Sequence, residues 1–531
     1  MTTFLKQFNM VNDLSMENEV RSTSCIEEEK ISEELIEELV DTARDYAQGN
    51  GINMRLKGQT NSAMVEHISF TILPSVIEKS LFQQACDVHA DMSLLYHKVA
   101  FDYNFLQQSL QRVAIGDEFT HNLIRIYVKL YETDLLDKTL ALTIQRSDYM
   151  FHQPISTPQI NDRRRRILCL KQVEVNNIAS SFAGISSRVT KLHKYLLRRF
   201  ADQLKLDYNK IPDNDALCTV AGGLTAAWEY YNTKYGTSDT CILVVVEDLN
   251  RNVTDQRAIE EEILKRSNYI VKIVRATFSE CHQNMQYDET NRILKIKSKD
   301  DKFSCEIGVI YFRTGYIPQQ YADENAWTVR QTMEMSRAVK CPWIGAHLAG
   351  TKKIQQILAA KENIRFFFPE ESQSIIREKL CDTFVGLYGL EKNDENTDTI
   401  VRRACRDYHQ FVLKPQLEGG GNNFYGMDIK DKLEKMTDDQ RESYILMDRI
   451  HPRIVRNRPI VASDCALRMK RPFFCDMVNE LGTFGYFLSD GPNNILVNYA
   501  GGYLLRTKKV SNDEGGVMAG ASAIDSPYFL D

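Results

Sequence analysis

The chain has 531 residues and a mass of 61.2 kDa, material for about three domains. Apolar residues make up 43% and charged residues 26%, with a formal charge of −6 and a pI near 6.0. Large buried cores are expected, and the charge gives no global electrostatic case for binding nucleic acid or an anionic membrane.

Residues 1 to 30 are polar, carry Glu27-Glu28-Glu29, and predict a loosely ordered tail. Met1 to Val20 holds no continuous apolar segment, so no signal peptide is expected. No run approaches the ~20 apolar residues of a membrane span. Twelve cysteines lie singly from Cys25 to Cys475, without C-x-x-C or zinc-ligand spacing, which points to reduced thiols and a cytoplasmic location.

Apolar residues at helical spacing predict a helix over Ile31 to Gln48, ended by Gly49-Asn50-Gly51, then helices across Pro74 to Leu110 and Asp117 to Leu136. The period changes at Thr139. Leu140 to Ile144 and Ile167 to Val175 read as strands flanking a solvated tip with Asp162 and Arg163 to Arg166. A helix over Ser187 to Leu204 and a linker with Pro212 and Asp213-Asn214-Asp215 follow.

From Thr240 the pattern alternates: strand Cys241 to Glu247, helix Asp255 to Arg266, strands Tyr269 to Arg275 and Glu306 to Phe312, helix Ala326 to Arg337. That rhythm predicts a small parallel α/β domain at 238–350, inserted between a first region at 31–237 and a C-terminal part at 351–531.

Phe411 to Gly426 reads F-V-L-K-P-Q-L-E-G-G-G-N-N-F-Y-G. Without Cβ atoms, Gly419, Gly420 and Gly421 let backbone N–H groups approach a polyphosphate closely; Lys414 adds a point charge and Glu418 a hard oxygen donor. Taken alone, the same residues also make an ordinary turn. The stretch is neither a Walker loop, which needs Gly-Lys-Ser/Thr, nor a dinucleotide fingerprint, which needs a glycine where Phe424 stands. Glu174 and Asn176, two apart on a strand, can present oxygens on one face.

Seven separated blocks carry a resemblance: Arg146 to Met150, Lys171 to Phe182, Arg251 to Glu260, Tyr311 to Tyr321, Leu348 to Lys353, Lys414 to Gly426 and Leu504 to Lys508. In order and spacing the chain resembles the eukaryotic glutathione synthetases of the ATP-grasp ligases, over nearly everything after residue 31. The resemblance implies a mixed α/β ATP-grasp fold with a helical N-terminal region, a glycine-rich lid at 414–426 and a second glycine-rich loop at 515–520. It implies ATP- and magnesium-dependent joining of γ-glutamylcysteine to glycine through an acyl phosphate, in a homodimer with small-molecule substrates only.

Site residues follow from the matching blocks. The resemblance makes Glu174, Asn176 and Glu418 magnesium ligands. It makes Lys352, Lys414 and Lys508 phosphate contacts, and sets Gly419 to Gly421, Asn422, Asn423, Tyr425, Met447, Asp448, Ile450, Glu480 and Glu514 around ATP. Arg146, Ile178, Ser181, Arg251, Asn252, Gln256, Arg313, Tyr316, Arg506 and Val517 would meet the peptide and acceptor, with Arg506, Lys414 and Arg146 the expected catalytic group. Arginine suits the substrate carboxylates because its planar fork binds them bidentately.

The substrate side departs from the family pattern at Ala179, Ser180, Asn250, Thr314 and Met518. Asn250 stands where a glutamate able to hold an amino group is usual, and Met518 where a small residue is. These changes leave open a ligase with another peptide or acceptor, or an ATP-binding protein with little ligase activity.

Overall fold

The computed structural model describes residues 24–26, 31–154, 168–297, 304–417, 421–462, 474–518 and 520–530. The expected tail, the arginine tip at 163–166, and Glu418, Gly419 and Gly420 lie outside the described residues.

Helix α1 (Glu33–Gly49) begins where Ser32 accepts the Leu35 N–H and carries Glu33 and Glu34 in its first turn, a favourable match to the helix dipole. Then come α2 (Lys79–Phe101) and α3 (Glu118–Glu132), the latter capped by Asp117. Strand β1 (Leu140–His152) runs eight residues beyond the predicted Ile144, and β2 (Cys169–Asn176) pairs with it. After α4 (Ala183–Arg199) comes a helix without a sequence prediction, α5 (Ala216–Tyr235). Gly222 and Gly223 at its middle weaken the helical signal. The packing needs Gly223, since a Cβ there would lie 2.8 Å from the Tyr486 ring.

The alternating region follows with β3 (Thr240–Val245), α6 (Val253–Arg266), β4 (Lys272–Ala276), β5 (Ser304–Phe312) and β6 (Val339–Cys341). The predicted strand at Tyr269 begins at Lys272; Tyr269 and Ile270 are exposed turn residues. A hairpin with no sequence prediction (Met285–Asp288 and Ile293–Lys297) lies at the edge. Strands β3, β4 and β5 are mutually parallel, as the rhythm predicts, and β6, which has no sequence prediction, joins them in parallel. They do not form a sheet of their own: β6 pairs with β1 at Lys340↔Ala141, and one 14-stranded sheet runs through both regions.

A separate three-stranded antiparallel sheet of β7 (Leu387–Gly389), β8 (Phe411–Pro415) and β9 (Tyr444–Asp448) has its own small core around Phe411, Leu413 and Leu446, and β8 leads into the stretch at 414–426. The long hairpin of β10 (Cys475–Asp490) and β11 (Asn494–Lys509), then β12 (Ser522–Asp525), continue the main sheet, whose two faces carry the two large cores. Among the described residues no helix is long and apolar enough to cross a membrane.

Two histidines of α2 lie in the packing against this hairpin. His89 shares a hydrogen bond with Thr483 Oγ1 (3.0 Å) and His97 with the Pro492 carbonyl (2.9 Å). Burial holds both imidazoles neutral down to about 4. In the unfolded chain they protonate near 6.5, so their contribution to stability is complete above 6.5, falls as pH drops towards 4, and is flat below. The melting temperature should decline across that window, and His89→Gln should flatten the decline.

Candidate functional site

Strand β1 is the axis of the site, because β2 and β10 flank it on opposite edges. The registers Asn176↔Arg146, Glu174↔Asp148, Gly482↔Asp148 and Glu480↔Arg506 align the charged residues of four strands. Alternation then puts Arg146 and Asp148 on one face, with Glu174 and Asn176 beside them. A Cβ at position 482 would lie 2.5 Å from Asp148 Oδ1 and 2.9 Å from Arg146 Cδ, so glycine is required there.

These side chains open onto a cavity of about 570 Å³. Of the predicted residues, Arg146, Glu174, Asn176, Ile178, Ala179, Ser180, Ser181, Tyr316, Lys414 and Gly421 line it. So do Asn423, Tyr425, Met447, Asp448, Ile450, Glu480, Arg506, Lys508, Glu514, Val517 and Met518. Lys352, Asn422, Asn250, Arg251, Asn252, Gln256, Arg313 and Thr314 are not on its wall.

Several of those support it from behind. Lys352 Nζ donates to the Leu417 carbonyl (2.7 Å) and stands 3.9 Å from Glu174 Oε2. Arg251 donates to the Met518 carbonyl (2.7 Å) while also holding Glu66 (3.0 Å) and the Arg55 carbonyl, which fastens the second glycine-rich loop to the N-terminal region. Arg313 donates to the Ser180 carbonyl and to Ser181 Oγ, both at 2.8 Å.

The turn after β2 is strained: Ala179 and Phe182 have φ of 51° and 74°, values that side-chain-bearing residues rarely adopt. Asp255, fully buried on α6, holds the turn by accepting N–H groups from Phe182 (2.7 Å), Gly184 (2.9 Å) and Ile185 (3.1 Å). It also accepts from Asn252 Nδ2. Beside this turn three buried polar atoms have no hydrogen-bond partner: Asn252 Oδ1, Gln256 Nε2 and Arg313 Nε. One acceptor and two donors left desolvated in this way are costly unless a ligand completes them.

Charge is dense at the lid end. Burial pushes the Glu174 carboxyl up, but Lys352, Lys414, Arg506 and Arg146 outweigh it and bring it down to about 2. Burial works against the Arg506 cation, yet Glu480, Asp148 and Glu174 raise its pKa. Burial lowers Lys508 and raises Glu480. Lys414 Nζ, 3% exposed as a residue, donates to the Val173 carbonyl (2.9 Å). Across the cavity Glu514 Oε1 accepts the Asn423 N–H (2.6 Å), which joins the start of the second glycine-rich loop to the stretch after Gly421.

Four residues had no place in the sequence reading. Asp148 joins Arg146 and Arg506, Asp255 clips the strained turn, and Gln320 Oε1 accepts from Gly315 and Tyr316 (2.8 and 2.9 Å) while its amide donates to Glu247. Glu247 in turn stands 3.4 Å from Asn250 Nδ2, so a carboxylate adjoins Asn250 although Asn250 itself lacks one. The spacing R-S-D could have flagged Asp148, two along a strand from Arg146.

The family model "Eukaryotic glutathione synthase, ATP binding domain" matches residues 33–529. Glutathione synthetase of Xenopus laevis is 37% identical over 500 residues, covering 93% of this chain and 97% of its own. That of Homo sapiens is 35% identical with the same coverage, and the chloroplastic enzyme of Solanum lycopersicum is 34% identical over 98% of this chain and 89% of its own. In three dimensions a glutathione synthetase-like effector from Globodera pallida, in its apo form, aligns with a TM-score of 0.72 at 22% identity, over 96% of this chain and 100% of that one, and shares the fold. The model match and these identities show that the chain belongs to the eukaryotic glutathione synthase family.

Proposed function

We propose that the chain joins γ-glutamylcysteine to glycine at the expense of ATP, giving glutathione, ADP and phosphate. The observation that carries this reading is the division of one cavity. At the lid end, Lys414, Arg146 and Arg506 gather around an ionised Glu174; at the strained turn, the wall carries Ser180, Ser181 and Tyr316, polar groups suited to an amino-acid terminus.

In this reading Lys414 and Lys508 take phosphate oxygens, with Lys352 behind them beside Glu174, and the apolar wall of Val173, Val412, Met447 and Ile450 takes the adenine. Asp448, Glu480 and Glu514 complete the nucleotide's polar surroundings. The lid residues Asn422, Asn423 and Tyr425, with the glycines beside them, exclude water. Ile178, Ser181 and Tyr316 on the wall meet the γ-glutamyl end, with Arg313, Asn252 and Gln256 supporting the turn from behind. Arg146 and Arg506 hold the cysteinyl carboxylate and Val517 borders the acceptor.

Magnesium suits the donor set. Glu174 is a carboxylate, and Asn176, two along the strand, adds an amide oxygen as a second hard donor while its Nδ2 is held by Asp148 Oδ2 (3.0 Å). When bound it neutralises the nucleotide phosphates. The cysteinyl carboxylate attacks the γ-phosphorus of ATP and ADP leaves; the glycine amine then attacks the acyl carbon, phosphate leaves, and the amine proton passes to solvent. The Arg506 fork meets the oxyanion that forms at that carbon. Because this step needs no protein nucleophile, positioning and charge supply the catalysis. Homodimeric assembly is part of the same reading, supported by the family resemblance.

ADP formation should require γ-glutamylcysteine and an amino-acid acceptor together, with glycine preferred in a panel. ADP release indifferent to the dipeptide, or none with any acceptor, would overturn the proposal. Met518, half-buried on the cavity wall, sets the acceptor's room. Met518→Ala should raise turnover with alanine or β-alanine relative to glycine, read as the ratio of kcat/KM values.

A further inference from the structure

We propose that Asp148 is the positioning residue of this site: one buried carboxylate that fixes both arginine forks and the Asn176 amide. The inference rests on the ligase reading above and adds a residue to it.

Asp148 is fully buried on β1 and its two oxygens accept four hydrogen bonds. Arg146 donates Nε to Oδ1 (2.7 Å) and Nη2 to Oδ2 (2.8 Å), a bidentate pair on one strand. Arg506 reaches Oδ2 from β11 (2.9 Å), and Asn176 Nδ2 reaches it from β2 (3.0 Å). Three strands therefore meet at one side chain, and each contributes a residue that faces the cavity.

The geometry has a purpose beyond neutralising charge. Arginine side chains carry several rotatable bonds, and a fork free to swing loses the fixed direction that makes it useful to a reacting carboxylate. Asp148 engages Nε and one terminal nitrogen of Arg146, so the other terminal nitrogen, which donates to the Ser181 carbonyl (3.3 Å), is held against the strained turn. Arg506 is gripped between Asp148 and Glu480, on adjacent strands. Gly482 completes the device, because any side chain there would collide with Asp148 Oδ1 and the Arg146 stem. Asp148 touches neither substrate in this account; it acts through the residues that do.

Asp148→Asn keeps the shape but puts an amide donor against guanidinium donors. It should weaken γ-glutamylcysteine binding by about 30-fold and lower kcat/KM for the dipeptide by about 100-fold, while Kd for a non-hydrolysable ATP analogue stays within about 3-fold. In an Arg146→Lys background the same change should cost dipeptide binding less than about 5-fold, since coupled residues are not additive. Equal costs in both backgrounds, or parallel loss of nucleotide and dipeptide binding, would overturn the proposal. Should Asp148→Asn not fold, Gly482→Ala displaces the pair without removing charge and should give the same split between dipeptide and nucleotide; no split would overturn the proposal. Turnover by the unaltered protein tests the ligase reading separately, and calorimetric dipeptide binding reads Asp148 without turnover.

Discussion

Arg506→Met should lower kcat by about 10³-fold, the cost of removing a donor aimed at a developing oxyanion. The loss has a second part. Arg506 bridges Asp148 (2.9 Å) and Glu480, with side-chain exposures of 0% and 13%, so its removal leaves two buried carboxylates without their shared cation. Breaking a buried ion pair from one side costs about 3 to 5 kcal/mol, a large fraction of a domain's net stability, and the melting temperature should fall with the activity. Arg506→Lys separates the two effects. A lysine keeps the charge and should recover much of the stability, but its single ammonium cannot serve both carboxylates and the substrate oxygen, so kcat should remain at least about 30-fold down. Near-normal kcat in the lysine variant would remove the fork from the mechanism.

Glu174→Gln is the second large expected effect, and its sign depends on what is bound. The Glu174 carboxyl lies near 2 because Lys352, Lys414, Arg506 and Arg146 overcome its burial. Its ionised form therefore favours the fold fully above the usual 4.5, and this contribution fades only as pH falls towards 2. Neutral glutamine leaves those cations uncompensated in the free protein, which costs stability. Nucleotide phosphates supply the missing negative charge, so nucleotide binding measured without magnesium should be unchanged or tighter. Turnover should fall by at least about 10²-fold and the magnesium concentration for half-maximal rate should rise about tenfold or more, since the substitution removes the hard oxygen ligand proposed for magnesium. Unchanged magnesium demand would remove Glu174 from the metal site.

Much of the site was legible because strand spacing and motif order constrain it. Arg146, Glu174, Asn176, Lys414 and Arg506 come from four strands, yet each sits in one of the seven blocks, and all line the same cavity. Alternation alone puts Glu174 and Asn176 on one face. The parallel order of β3, β4 and β5 was likewise readable from its βαβ rhythm.

What escaped notice depends on distance in the chain or on very short elements. Asp255 caps a turn some 70 residues earlier, and no local pattern announces such a partner. The φ values of Ala179 and Phe182 contradict their local preferences and are sustained by that cap. The join between the two regions of the sheet rests on β6, three residues long, too short to carry a period. Helix α5 has no sequence prediction: Gly222 and Gly223 lower its intrinsic helical propensity, and Gly223 is needed because it gives Tyr486 room to approach. Nor does any local pattern show that Arg251, expected at the substrate, ties the Met518 loop to the N-terminal region.

The most direct test of the central claim follows oxygen. γ-Glutamylcysteine labelled with ¹⁸O in its cysteinyl carboxylate, incubated with the enzyme, ATP, magnesium and glycine, should yield glutathione, and mass spectrometry should find one ¹⁸O atom in each phosphate released. Unlabelled phosphate alongside glutathione would contradict phosphorylation of that carboxylate, and failure to form any amide product would contradict the assignment of this cavity as a ligase site.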